Sequence, residues 1–238
     1  MSRIKNYIKK VIIRLIPAGV KNELAKFPAD SKLSYSQEGE DLILERIFEN
    51  KNSGFYIDIG AHHPTRFSNT YLFYLKGWRG LNIDATPGSM LPFNKIRPED
   101  INIEAGVTKE ESEMDYYLFN EPALNTFSKS RAEFIINHTS YKLLKKEKLK
   151  TKPLAKILQE VLPPNKKIDF LTIDVEGLDL EILATNDWKN NRPFIVLAED
   201  LNGSLENINA SELFRLMNSL EYSLIARTHN TTFFKDKN

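Results

Sequence analysis

Residues 55–71 read FYIDIGAHHPTRFSNTY. Asp58 and Gly60 close an apolar stretch, and Ala61, His62 and His63 follow at once. An acid and a glycine at the end of a strand are how many nucleotide sites begin. Glycine lets a ligand approach the backbone and adopts φ angles that other residues avoid. A dinucleotide needs further glycines, because its diphosphate sits on the N-terminus of the next helix. Here His62, His63 and Pro64 would crowd that position. The turn therefore suits a ligand that has adenosine but no diphosphate.

S-adenosylmethionine has that chemistry. Asp84 ends the next strand-like stretch, GLNIDAT, 24 positions after Gly60. A carboxylate there can accept hydrogen bonds from both ribose hydroxyls, and Asp58 would hold the loop or meet the methionine amine. Methyl transfer from a sulfonium is an in-line displacement, so positioning matters, and an alcohol acceptor gains from a nearby base. TIDVEGLDLEIL supplies Asp174 and Glu176, which share one face if the strand extends that far. His63 or Glu176 is expected as the base, with Asp174 orienting the substrate. His62 shares the histidine candidacy, and histidine titrates in the right range. The alternative is that both histidines only shape the loop.

VLAEDLNG ends another strand with Glu199, Asp200 and Asn202. Asp174, Asp200 and Asn202 would make an oxygen cage for Mg²⁺, lowering the pKa of an acceptor hydroxyl. Acids at strand ends serve equally well against substrate hydroxyls, and no metal ligand is assigned.

These residues need strands that end together. From residue 55 the sequence alternates strand-like segments (FYIDI, GLNIDA, INIEAGV, MDYYLF, IDFLTIDV, FIVLAED, YSLIAR, TTFFKD) with helical ones (NTYLFYLKG, GLDLEILATND, ASELFRLMNSL). Apolar strands joined by helices argue an α/β fold, a mostly parallel sheet covered on both faces. Only THN separates the last two strands, so the closing strand is expected to run antiparallel.

The blocks SQEGEDLIL, GFYIDIGAHHPTRFSNTYLFYLKGWRGLNIDATP, EAGVTKEE and FLTIDVEGLDLEIL, in this order between about residues 35 and 200, resemble the FkbM family of S-adenosylmethionine-dependent methyltransferases. The resemblance implies a class I, Rossmann-like, doubly wound fold and usually O-methylation, often of sugars or natural products. By the same analogy Gln37, Glu40 and Asp41 close over the cofactor, and the adenine lies near Gly106 and Val107. The turn departs from the commoner DIGANxG form, which leaves the acceptor open.

EPALNTFSKSRAEF and the lysine-rich stretch after it lie where such enzymes place substrate-recognition inserts. Asn125, Thr126 and Ser128 are candidates to hydrogen-bond the acceptor, and Arg131 or Lys129 to meet a phosphate. Residues 120–167 hold eleven Lys or Arg against four Asp or Glu. That excess suits an anionic glycan or glycan precursor. Equally, these are solvated lysines on a surface helix. The aromatic residues form no base-stacking platform, so nucleic acid is not an expected partner.

The chain has 238 residues, a formal net charge of +1 and no cysteine. Disulfides and thiolate catalysis are excluded, and a reducing, cytoplasmic setting fits. No run of eighteen apolar residues exists, so no transmembrane helix is expected. Residues 1–34 read as a basic amphipathic helix and a linker, and 35–238 as the methyltransferase domain. Ile4, Ile8, Val11, Ile12 and Leu15 share a helical face, and seven basic residues stand against Glu23 alone in residues 1–27. Such a helix suits the inner face of a membrane, or else packs on its own domain. Two other functions compete: an NAD(P)-dependent oxidoreductase, which lacks its glycines, and a noncatalytic membrane-associated module that keeps the fold.

Overall fold

In a computed structural model, residues 31–163, 165–201 and 206–238 are described. The expected N-terminal helix lies outside these residues. Residues Ser34–Asn238 make one folded unit. Its first half contains α1 (Glu40–Ile47), β1 (Phe55–Ile59), α2 (Tyr71–Leu75), β2 (Arg79–Asp84), α3 (Met90–Ile96), β3 (Ile101–Glu104), β4 (Gly106–Val107) and β5 (Ser112–Phe119). The second half contains α4 (Lys129–His138), β6 (Leu143–Lys152), α5 (Leu154–Val161), β7 (Phe170–Ile173), α6 (Asp179–Leu183), β8 (Ile195–Glu199), α7 (Glu212–Ser219), β9 (Tyr222–Arg227) and β10 (Thr231–Asp236).

Seven strands form the main sheet in the order β3-β2-β1-β7-β8-β10-β9. The pairs among β3, β2, β1, β7 and β8 are parallel. β10 runs antiparallel to both β8 and β9, as the short THN connection predicts. This is the doubly wound class I methyltransferase arrangement. Alternation along the strands feeds two cores. Phe55, Ile57 and Ile59 of β1 join the side chains of α5, α6 and α7 on one face. Tyr56 joins Leu44, Phe48, Phe73 and Trp78 on the other. Phe234 and Phe233 of β10 divide between the same two cores. Burying each large apolar side chain is worth roughly 1.5–3 kcal/mol, so both faces hold the strands in register.

Two segments depart from the sequence expectation. INIEAGV is not one strand: β3 pairs with β2, and after Ala105 the chain leaves to pair β4 with β6 in a second, three-stranded sheet, β4-β6-β5. MDYYLF belongs to that small sheet as part of β5. The lysine tract is likewise no surface helix. It is β6, antiparallel to β5, with Glu147, Leu149 and Thr151 turned inward and Lys146, Lys148 and Lys150 exposed. Pairing with a long partner strand overrides the helical preference of lysine, and Lys146 Nζ reaches Asp115 Oδ2 at 3.1 Å.

Candidate functional site

The sheet order reverses between β1 and β7, and ligands of open α/β sheets bind outside the strand ends at such a point. Three segments meet there: the turn after β1, Asp84 at the end of β2, and residues 174–177 after β7. Gly60 has a φ of +78°, and a Cβ on it would stand 1.8 Å from the Asp174 carbonyl oxygen. Only glycine lets these strand ends touch. The Gly60 and Ala61 amides both donate to the Ile83 carbonyl, at 2.9 and 3.0 Å. The His62 amide donates to Asp84 Oδ2 at 2.9 Å and the Thr86 amide to Asp84 Oδ1 at 2.8 Å. A carboxylate has about four acceptor positions, so Asp84 is fixed by its neighbours and still has capacity for a ribose. The next helix, α2, starts only at Tyr71. No helix N-terminus follows Gly60 directly to take a diphosphate, which disfavours a dinucleotide.

Beside Asp84 runs a narrow slot walled by Ile83, Ala85, Ala105, Val107, Tyr116 and Phe127. Apolar walls ending in a carboxylate match a flat base joined to a ribose, so the residues present fit an adenosine cofactor. Val107 lies on this wall. Gly106 does not: it makes room, because a Cβ there would sit 2.8 Å from the Phe127 ring and 2.9 Å from the Lys150 carbonyl oxygen. Asn125 and Thr126, expected to hold the acceptor, line the slot instead. Asn125 Oδ1 accepts from the Phe119 amide at 2.8 Å, its Nδ2 donates to Thr86 Oγ1 at 3.2 Å, and Thr126 Oγ1 donates to the Glu176 carbonyl at 3.0 Å. Tyr116, whose hydroxyl lies 3.0 Å from Thr86 Oγ1, carried no signal in the sequence, because only the long-range placement of the small sheet brings it here.

A larger cleft of about 300 Å³ adjoins the slot and shares Gly60, His62, Asp174 and Glu176 with it. Gln37, Glu38 and Glu40 line it. Glu38 accepts from the Asn230 amide at 3.0 Å, and Glu40 from Thr231 Oγ1 at 3.2 Å. The segment before α1 is thereby tied to the β9–β10 turn. Asp41 is a correction. It is buried, does not line the cleft, and accepts from Ser34 Oγ (2.6 Å), the Tyr35 amide (2.7 Å) and Ser36 Oγ (2.9 Å), so it shapes the segment. Asp58 faces the cleft and accepts from Thr70 Oγ1 at 2.6 Å; burial pushes its carboxyl up to about 6. Fully buried Arg97 donates to Thr70 Oγ1 (2.8 Å), the Tyr56 hydroxyl (2.9 Å) and Asp100 (3.0 Å), and reaches the Pro64 carbonyl (3.3 Å).

The histidines part company. His63 lines neither the slot nor the cleft, and its Nδ1 accepts from the Thr65 and Arg66 amides at 3.2 and 3.1 Å. It caps its own turn, so the geometry does not favour it as the base. His62 does face both hollows, with a φ of +53°. However, its Nε2 lies 3.2 Å from Arg66 Nη1, which can only donate. Burial, and then the nearby Arg66 charge, hold His62 below its ordinary pKa against the opposing pull of Asp84.

β7 ends at Ile173, so strand alternation does not align Asp174 with Glu176. A sharp turn does. Glu176 and Gly177 both take left-handed conformations, with φ of +55° and +97°, and the strain at the non-glycine residue costs roughly 1–3 kcal/mol. Glu176 Oε2 accepts from Arg131 Nε at 2.8 Å, and burial raises the Glu176 carboxyl above its ordinary range. Asp174 opens onto both hollows. Its side chain is exposed there, and the acids around it, Glu176 and then Asp58, raise its carboxyl to about 7.

The cleft is acidic. Glu38, Glu40, Asp58, Glu121, Asp174, Glu176 and Glu199 line it, while its two arginines are already paired, Arg66 with Glu121 at 2.8 Å and Arg131 with Glu176 at 2.8 Å. The insert reaches it through Glu121, Ala123, Leu124, Arg131 and Tyr141, but the lysines of β6 do not, because they sit on the small sheet. The expectation of an anionic acceptor is thus not matched by the charge of the cleft, and Arg131 orients Glu176 where a phosphate contact was expected. The Mg²⁺ alternative also loses a ligand: Asp200 accepts from Ser211 Oγ at 2.7 Å and pairs with Arg227 at 3.7 Å. Asn202 lies outside the described residues, and among those described no group of three His, Asp or Glu is disposed to hold a metal.

No curated protein sequence matches the chain. Among solved structures it is similar to a protein described as an O-methyltransferase from Klebsiella pneumoniae (10% identity, 99% of this chain and 97% of that one, TM-score 0.45). It is also similar to the O-methyltransferase from Bacillus cereus in complex with SAH (10% identity, 98% and 97%, TM-score 0.41). A third is a protein described as a type 11 methyltransferase from Sulfolobus solfataricus (12% identity, 86% and 95%, TM-score 0.41). The sequence profile described as "Methyltransferase FkbM domain" matches residues 58–224, well over half of the chain, spanning the β1 turn, Asp84, Asp174 and Glu176. The chain belongs to the FkbM family of methyltransferases, and S-adenosylmethionine is its cofactor.

Proposed function

We propose that the protein is an O-methyltransferase whose acceptor, a hydroxyl of a sugar, glycan or glycan precursor, enters the acid-lined cleft and gives its proton to Asp174. The observation that carries this reading is the placement of Asp174. It opens onto both the slot and the cleft, and its carboxyl is pushed up to about 7. A base poised near the working pH is the most effective one. Asp84 would take the ribose, Ala105, Val107 and Phe127 the adenine, and Gln37, Glu40, Asp58, Gly60 and Ala61 the methionine end. When bound, S-adenosylmethionine supplies an electrophilic methyl group on a positively charged sulfur. Glu176, held by Arg131, stands beside Asp174 and orients the acceptor. Several carboxylates around one cleft suit a molecule with several hydroxyl donors, which supports a sugar over a simple alcohol.

Cysteine-free composition supports a cytoplasmic setting, and the basic excess in residues 1–27 supports peripheral contact with the inner face of a membrane. Among the described residues no helix is long and apolar enough to cross one.

The test is transfer of a labelled methyl group to a panel of glycans and glycan precursors. Asp174→Asn is expected to lower kcat about 10²- to 10⁴-fold while S-adenosylhomocysteine still binds. Label found on nitrogen, or turnover unchanged in Asp174→Asn, refutes the reading.

A further inference from the structure

Past Glu199 the cleft continues into another hollow of about 470 Å³, the two sharing Glu199 and Leu201. Among the described residues every charged one on its wall is an acid: Asp179, Glu199, Asp200 and Glu212. Asp200 is answered by Ser211 and Arg227. Asp179 is only 4% exposed, and its Oδ1 has no hydrogen-bond partner. Among the described residues the Glu199 carboxylate makes no hydrogen bond or ion pair. Burial, and then the charges of Asp174 and other acids, raise both carboxyls far above their ordinary range, Glu199 to about 10. The N-terminus of α7 also meets this hollow, but Ser211 Oγ already accepts from the Phe214 amide at 3.2 Å, so that end is capped. A buried acceptor without a donor is costly, and two neighbouring acids on one wall without a cation are more so.

We propose that this hollow binds a cationic amino group of the acceptor, whose ammonium nitrogen sits between Asp179 and Glu199. An ammonium brings three donors and one positive charge. It satisfies Asp179 Oδ1, supplies the positive charge that lets these carboxyls give up their protons, and anchors the acceptor at a fixed distance from Asp174. The inference rests on the reading of the adjoining cleft as the acceptor site, and it makes the acceptor an amino-bearing molecule.

The test uses the full chain and two probes of matched length, 1,4-diaminobutane and 1,4-butanediol, titrated calorimetrically at constant ionic strength. The diamine is expected to bind about tenfold or more tighter than the diol. Glu199→Gln and Asp179→Asn are each expected to weaken the diamine by about tenfold or more. Glu212→Gln, whose side chain is 74% exposed, changes it only slightly. Should Asp179→Asn not fold, Glu199→Gln decides alone. Equal binding of the two probes, no binding of either, or diamine binding indifferent to these substitutions overturns the proposal. S-adenosylhomocysteine titrated into the same wild-type sample reports the cofactor site separately. Its failure to bind would count against the methyltransferase reading and not against the amine site.

Discussion

Asp84→Ala separates two roles that the geometry gives to one carboxylate. The residue is 8% exposed and accepts from the His62 amide at 2.9 Å and the Thr86 amide at 2.8 Å. Charge-assisted bonds contribute roughly 1.5–3 kcal/mol each. Losing both tethers should cost about 3 kcal/mol at the low end, a fall in Tm of roughly 6–12 °C for a domain of this size. The ribose contact, counted as a single such interaction, is a separate loss of about ten- to a hundredfold in affinity. A slackened turn would also weaken binding, so affinity alone does not distinguish the roles. Comparing adenosine with 2′,3′-dideoxyadenosine does. Wild-type protein should prefer adenosine by about ten- to a hundredfold, and Asp84→Ala should lose that preference whatever happens to the turn, because the loop effect is common to both ligands. If Asp84→Ala still discriminates by the wild-type factor, Asp84 only staples the turn, and the assignment of the slot to the adenosine is wrong.

The kcat/KM profile should rise with an apparent pKa near 7, that of Asp174, and lose this limb in Asp174→Asn; a rise centred near 4 would refute the assignment. Buried Asp58 keeps its proton to about pH 6, whereas the unfolded chain releases it near pH 4. Folding therefore takes up a proton between about pH 4 and 6, and the stability this group contributes, full below that window, is lost as pH rises through it. Tm measured against pH should accordingly fall less steeply in Asp58→Asn than in wild type. Gly60→Ala forces a left-handed φ on alanine, which costs about 1–2 kcal/mol, and drives Cβ into the Asp174 carbonyl. Lower Tm and impaired S-adenosylhomocysteine binding are expected, and unchanged values would mean that the strand ends do not meet as described. Removal of residues 1–27 should abolish flotation with anionic vesicles and leave cofactor affinity unchanged; flotation that persists places the membrane contact elsewhere.

Legibility in the sequence followed the range of the interactions. The places of Asp58, Gly60 and Asp84 at the strand ends could be read because the signal is local: apolar runs ending in an acid or a glycine at βαβ spacing. The antiparallel β10 was equally local, set by a three-residue connection. The small sheet was not. Lys142–Lys150 has the composition of an exposed helix, and only its pairing with β5, across a gap longer than twenty residues, makes it a strand. The other reading of the tract, as positive charge at the acceptor site, was not legible either, since the structure puts acids there, and Tyr116 and Phe127 on the slot wall depend on the same long-range placement. The roles of His63 and Asp41 were lost for a different reason. Residue type shows that a group can move a proton or accept a bond. Whether its lone pairs are already taken by amides and hydroxyls a few residues away depends on turn geometry.

β9 precedes β10 in the chain, yet it reaches the sheet only through it, since β10 lies between β8 and β9. On a ribosome, β8 would emerge with one side of Ile195, Val196 and Leu197 unclaimed, and the strand that covers them begins 32 residues beyond Glu199. A bare apolar strand edge pairs readily with that of another chain. The same insertion that seals the native sheet thus leaves a sticky interval during synthesis, in which a nascent chain depends on chaperones or on slow dilution to avoid joining its neighbours.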